Sequence, residues 1–251
     1  MSGDPPGPAV SEDRLLGGRV LLRQPIAGSR AAIDPVFLAA AVPAAAQEAI
    51  LDIGCGTGAA MLCLAARVPH CRVVGLEPQR ELVRLAADNI ALNAMTARVS
   101  VMAGDLLHPP PRLSPGGFDH VMANPPFFER GRASEPAHPG KATAHLEGDA
   151  ELAEWVRFAL HMLRAKGTVT FIHRADRIDE VLARISGKAG EVTVFPLWPM
   201  QGRPASRILV RARKQAATPA RLCAGLVLHE PDGHYTNAAE AVLRGGEALV
   251  L

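Results

Sequence analysis

No apolar run in this 251-residue sequence is long enough to cross a bilayer, and no basic segment followed by a hydrophobic stretch opens it. Neither a membrane span nor a secretory leader is therefore expected. The four cysteines, Cys55, Cys63, Cys71 and Cys223, include no Cys-x-x-Cys pair. That pattern argues against a metal site and for buried, reduced thiols, which fits the cytoplasm. Charge is nearly balanced, at a formal +2 with a pI near 8.5, so the composition permits nucleic-acid binding without arguing for it. No internal repeat is visible. What is there, at 48% hydrophobic over this length, reads as one α/β domain with an elaborated end.

Residues 1–13 are rich in proline, glycine and acidic side chains with little to bury, which predicts a disordered tail. A segment at 14–48 leads into the main domain, assigned 49–214, and 215–251 form an extension expected to pack on it. From Ala49 the chain alternates short apolar runs with helical patterns. The runs are Ala49 to Ile53, Arg72 to Leu76, Arg98 to Met102, Phe118 to Ala123 and Gly167 to Ile172; the helices are Ala59 to Arg67, Arg80 to Asn93, about Asp149 to Arg164, and Ala175 to Ser186. Continuous apolar strands alternating with helices imply a mostly parallel sheet covered on both faces. Glu191 to Leu197 and Ser206 to Ala212 are too close for a helical crossover, so they should pair antiparallel. The expected architecture is a Rossmann-like, doubly wound, seven-stranded sheet ending in an antiparallel hairpin, with a last short strand at Leu226 to His229 and a helix at Ala238 to Arg244.

Two motifs carry chemistry. Asn124-Pro125-Pro126-Phe127 follows a buried strand, and its prolines fix a stiff, bent backbone with no N–H of their own. The Asn124 side-chain oxygen and the Pro125 carbonyl can then both accept from one planar amino group, while Phe127 offers a face for stacking. Taken alone, the tetrapeptide also fits an ordinary proline-rich turn. Upstream, Leu51-Asp52-Ile53-Gly54-Cys55-Gly56-Thr57-Gly58 sits where a strand turns into a helix, with glycines suited to a tight turn and close approach of a ligand. It lacks the Gly-Lys-Ser/Thr of a triphosphate loop. Glu77 follows the next strand, where a carboxylate can accept from a ribose diol. Asp105 follows the third.

Asp52-x-Gly-x-Gly-x-Gly, then Glu77, Asp105 and Asn124-Pro125-Pro126-Phe127 in that order, resembles the class I S-adenosylmethionine-dependent methyltransferases. The resemblance implies S-adenosylmethionine as cofactor and S-adenosylhomocysteine as product. It places Asp52, Gly54 and Gly56 around the methionine part, Glu77 on the ribose hydroxyls and Asp105 on the adenine amino group, and adds Cys55, Gly58, Pro78, Leu106, Asp34 and Asn124 to the cofactor-binding set. Arg23-Gln24-Pro25 through Ala40 is similar to the entry segment of bacterial tRNA adenine-N6 methyltransferases acting beside the anticodon of valine tRNA, which implies that 14–48 precedes the glycine loop and helps close the cofactor pocket. Phe37-Leu38 stands where Leu-Leu is usual, Ser29 where an aromatic is common, and Phe127 where tyrosine is frequent.

An aromatic amine is a poor nucleophile, because its lone pair is delocalised into the ring. Two acceptors on its N–H groups localise that lone pair and aim it at the methyl, so positioning matters more than a strong base. His120, inside an apolar run, is read as a packed core or strand-edge residue. Arg130, Arg132, His138, Lys141 and His145 lie in the long segment after the tetrapeptide. Arg203, Arg207, Arg211, Arg213 and Lys214 form a second basic cluster, in which Arg207, Arg211 and Arg213 could share a strand face. Of these, Arg130, Arg132, Lys141, Arg203 and Arg207 are the candidate contacts to RNA phosphates; solvated loops and a charged edge strand are the plain alternative. The expected activity is methylation of an exocyclic amino nitrogen, adenine N6 in tRNA, by a metal-free monomer or homodimer that binds RNA and no membrane. Rival readings are a protein glutamine N5-methyltransferase, whose family carries a separate N-terminal helical domain, a small-molecule N- or O-methyltransferase, and a non-catalytic RNA- or partner-binding module that keeps the fold.

Overall fold

A computed structural model describes residues 9–27, 30–126 and 151–251. Among these residues nine strands form a central sheet. β3 (Ala49–Ile53), β4 (Arg72–Glu77) and β5 (Val99–Ala103) run outward in one direction. β6 (Phe118–Ala123) and β7 (Leu163–Arg174) then continue from the other side of β3, all parallel. β9 (Arg207–Lys214) inserts antiparallel between β7 and β8 (Ala189–Met200), in the pairing expected from the spacing of those two segments. The expected count of seven falls short because β10 (Arg221–Leu222) and β11 (Leu226–His229) add to β8 in parallel. β10 is two exposed residues joined only through its backbone, so no apolar pattern marked it.

Helices close both faces. α1 (Asp34–Ala41), α2 (Ala59–Arg67) and α6 (Asn237–Leu243) contribute to one apolar layer, α4 (Leu152–Met162) and α5 (Ile178–Ile185) to the other. α3 (Arg80–Leu92) buries Ala86 and Ile90 in the first layer. α4 begins with a reciprocal cap in which Glu151 and Glu154 each accept from the other's backbone N–H, satisfying donors that a helix start leaves open.

The tail expected at 1–13 is overturned from Val10 onward. Val10–Leu15 forms β1, which pairs antiparallel with β2 (Val20–Pro25) in a separate two-stranded sheet. Glu12, Asp13 and Arg14 gave no apolar periodicity, but a hairpin strand needs only a backbone partner and side-chain ties. Here Asp13 receives hydrogen bonds from Gln24 at 2.9 Å and Arg30 at 2.6 Å. In the 215–251 stretch, α6 and β11 pack on α1 and β8, and Leu251 is buried with its carbonyl accepting from Arg211 at 2.8 Å. No helix among the described residues is long and apolar enough to cross a membrane, and no group of three His, Cys, Asp or Glu among them could hold a metal.

The chain leaves β5 and returns beside β3 as β6, so strand order reverses at β3. In such sheets a crevice opens beyond the carboxyl ends of the strands at that reversal. Ile53 and Ala123 are register partners there, which sets Gly54 and Asn124 at neighbouring strand ends.

Candidate active site

A cavity of about 680 Å³ fills this crevice. Asp52, Gly54, Cys55, Gly56, Glu77, Pro78, Asp105, Leu106, Asn124, Pro125, Pro126 and Asp34 all line it, so residues scattered over ninety positions of sequence meet in one place. Gly58 does not line it. It caps α2 in a left-handed conformation (φ 93°) and donates to the Cys55 carbonyl at 2.9 Å, which makes it the hinge of the turn. Gly54 also lies at positive φ (67°) and donates to the Leu76 carbonyl at 2.8 Å. A Cβ there would sit 2.7 Å from the Trp155 ring, so only glycine lets the indole close on the loop.

Glu77, buried at the end of β4, accepts from Gly56 N at 2.9 Å and Gln79 N at 3.0 Å. It therefore locks the glycine turn to the next strand while lining the cavity. Asp52 has one carboxylate oxygen buried without a partner among the described residues. Burial pushes its carboxyl up to about 8, against a backbone N–H that lowers it, and the neighbouring Glu77 charge raises it further. Asp105 closes its own turn: Oδ1 accepts from Leu107 N at 2.6 Å and His108 N at 2.7 Å. Partial burial works to raise its carboxyl, but those two donors outweigh it and hold it below the usual range.

The cavity contains further orphaned polar atoms. Asn124 Oδ1 and Trp155 Nε1 are both buried with no hydrogen-bond partner among the described residues, and both residues line the space. An unpaired buried donor or acceptor costs about 1–3 kcal/mol, which a ligand with matching groups relieves. Four acids, Asp34, Asp52, Glu77 and Asp105, outnumber the lining arginines, Arg30 and Arg207. A cationic ligand bearing an ammonium, a sulfonium and a ribose diol fits this donor set better than a phosphate would.

A family model described as the methyltransferase small domain matches residues 28–152, the stretch that carries the glycine turn, Glu77, Asp105 and the tetrapeptide. A protein of Vibrio campbellii named tRNA1(Val) (adenine(37)-N6)-methyltransferase is 26% identical over 208 residues, spanning 82% of this chain and 84% of its own. One of the same name from Porphyromonas gingivalis is 27% identical over 74% of each. The protein is an S-adenosylmethionine-dependent methyltransferase. Among solved structures, a predicted O-methyltransferase from Agrobacterium tumefaciens matches with a TM-score of 0.72 and 24% identity, covering 86% of this chain and 98% of that one. A putative transferase from Pyrococcus horikoshii gives 0.56 at 13% identity, covering 82% and 72%. At these identities the likeness carries the fold and not the acceptor.

In the methyltransferase, two groups of predicted residues lie apart from the cavity or outside the description. Phe127, Arg130, Arg132, His138, Lys141 and His145 lie outside the described residues. Arg203 is exposed in the turn between β8 and β9. The rest of that basic cluster is engaged within the chain. Arg207 lines the cavity and pairs with Asp34 at 2.9 Å, Arg213 pairs with Glu191 at 2.6 Å, and Lys214 donates to the Leu163 carbonyl at 2.6 Å. His120 is buried, bonded to Thr168 at 2.7 Å and to Glu48 at 2.9 Å, far from the crevice at the opposite end of the strands, as a packed histidine should be. Burial draws its pKa down, against the pull of the Glu48 carboxylate.

Trp155 lines the cavity without having been singled out from the sequence, whereas Gln24 and Arg30 belong to the entry segment expected to close the cofactor pocket and Thr57 to the glycine turn. For Trp155 one signal existed: it is one of two tryptophans, placed on the apolar face of the helix that follows the tetrapeptide.

Proposed function

We propose that this methyltransferase transfers its methyl group to the exocyclic N6 of an adenine in tRNA. Bound in the crevice, S-adenosylmethionine supplies an electrophilic methyl on a sulfonium. Asp52 and the glycine turn would hold its amino-acid end, Glu77 its ribose, and Asp105 with Leu106 its base. Asn124 and Pro125 then orient the acceptor amine, accepting from its two N–H groups so that its lone pair faces the methyl. The observation that carries the reading is the buried Asn124 Oδ1 at the end of β6, without a hydrogen-bond partner among the described residues and one strand from the glycine turn. An acceptor at that place favours an amine over a hydroxyl, which brings a single proton. The choice of adenine in tRNA is supported by the curated relatives, which bear that activity in their names and align over four fifths of the chain.

The test incubates the enzyme and methyl-labelled cofactor with RNA and protein fractions from a strain lacking the gene, then digests each and identifies the labelled product. N6-methyladenosine in the tRNA fraction is expected. Label in N5-methylglutamine, or in no macromolecule, overturns the reading.

A further inference from the structure

Asn89 lies on α3, wholly buried, and its amide joins two segments that wall the cavity. Its Oδ1 accepts from Arg23 N at 2.8 Å, and its Nδ2 donates to the carbonyls of Arg23 and Thr57, each at 2.9 Å. Both amide hydrogens are thereby used, one on β2 and one on the turn between β3 and α2. One helical turn later, Asn93 bonds Leu21 in the same way: its Oδ1 accepts from Leu21 N at 2.9 Å and its Nδ2 donates to Leu21 O at 2.7 Å. Four helical residues rise about 6 Å and two strand residues about 6.6 Å. The two asparagines therefore act as a substitute neighbouring strand along β2. They differ in one contact: the second donor of Asn93 stays within α3, on the Asn89 carbonyl at 2.7 Å, whereas that of Asn89 reaches the glycine turn.

The tie extends further. Gln24, next to Arg23, accepts from Ala31 N at 2.7 Å and donates to Asp13, which also pairs with Arg30. Arg30, Ala31, Ala32 and Asp34 line the same cavity as the turn. Thr57 O, Asn89, Arg23 and Gln24 thus form a path, through hydrogen bonds and the Arg23–Gln24 peptide link, from the glycine turn to that second lining segment.

We propose that Asn89 is a positioning residue for the cofactor: it makes the glycine turn and the entry hairpin one unit, so that cofactor captured at the turn also fixes the hairpin wall. The proposal rests on the cavity holding S-adenosylmethionine. Two isosteric variants separate it from a merely structural role. Asn89→Asp turns an oxygen towards the Arg23 and Thr57 carbonyls, while Asn93→Asp does the same at Leu21 without touching the turn.

Asn89→Asp is expected to raise the KM for cofactor and the Kd for S-adenosylhomocysteine about tenfold or more, with kcat at saturating cofactor within about threefold. Asn93→Asp is expected to lower the melting temperature comparably and leave that Kd within about twofold. In hydrogen exchange on the wild-type protein, S-adenosylhomocysteine should slow exchange at 20–25 as well as at the turn, and in Asn89→Asp only at the turn. A folded Asn89→Asp with native affinity, equal weakening by both variants, or no slowing at 20–25 in the wild type overturns the proposal. The last result decides even where Asn89→Asp does not fold. S-adenosylhomocysteine failing to bind the wild-type protein would instead defeat the cofactor reading beneath it.

Discussion

Gly54→Ala should weaken cofactor binding far more than Gly56→Ala, although both glycines lie in the same turn. Each has positive φ, 67° and 56°, where an alanine carries backbone strain of about 1–2 kcal/mol. Only at Gly54 does the added methyl collide, 2.7 Å from Trp155 Cη2 and 3.3 Å from Cζ3; at Gly56 nothing lies within 4 Å. The indole is buried in the core packed around α4, so the turn moves instead and weakens the Gly54 N to Leu76 O bond, a further loss of about 1 kcal/mol. Gly54→Ala therefore loses about 2–3 kcal/mol at the binding turn, or roughly thirty- to a hundred-and-sixtyfold in affinity, against about 1–2 kcal/mol, or five- to thirtyfold, for Gly56→Ala. Titration calorimetry with S-adenosylhomocysteine reads both. Adding Trp155→Leu to Gly54→Ala should recover part of the loss by removing the collision. Gly54→Ala binding as well as Gly56→Ala would refute the packing argument.

Asp52 predicts a pH effect. With its carboxyl pushed by burial to about 8 from an ordinary 3.8, it is protonated near neutrality, and a ligand ammonium favours the ionised form. Binding of S-adenosylhomocysteine should therefore release a proton and tighten as pH rises from about 6 to 8; calorimetry in buffers of different ionisation enthalpy measures the release, and proton uptake would contradict it. For the ligand-free protein the raised pKa means that Asp52 contributes its full stability below its unfolded value and loses it as pH climbs through 8. Asp52→Asn should flatten that decline in thermal melts while weakening the ligand. Glu77→Gln removes a charged acceptor buried at the cavity wall, the one proposed to hold the ribose, and should raise the Kd for S-adenosylhomocysteine about ten- to a hundredfold. An unchanged Kd would remove Glu77 from the binding set.

The parallel sheet was legible because buried strands carry unbroken apolar runs, and the β8–β9 pairing because too few residues separate those strands for a crossover. Asp52, Glu77, Asp105 and Asn124 were legible as a set because each lies at or just beyond the carboxyl end of a strand, and those ends face the same crevice. β1 was hidden, since Glu12, Asp13 and Arg14 stabilise a hairpin through backbone pairing and polar ties rather than burial. Trp155 was hidden for another reason: its contact with Gly54 spans a hundred residues and exists only once α4 packs on the sheet. The pairing of Arg207 with Asp34 was hidden because basic residues spaced along a strand look the same in sequence whether or not a carboxylate of the same chain lies beside them.

The central claim is that Asn124 holds the acceptor amine, and it is tested most directly by Asn124→Ala in single-turnover methylation of tRNA from the deletion strain, alongside S-adenosylhomocysteine binding. Turnover should fall about a hundredfold or more with the Kd within about threefold, because what is lost is orientation at the reacting nitrogen. Equal losses in turnover and binding, or turnover left intact, would contradict the account.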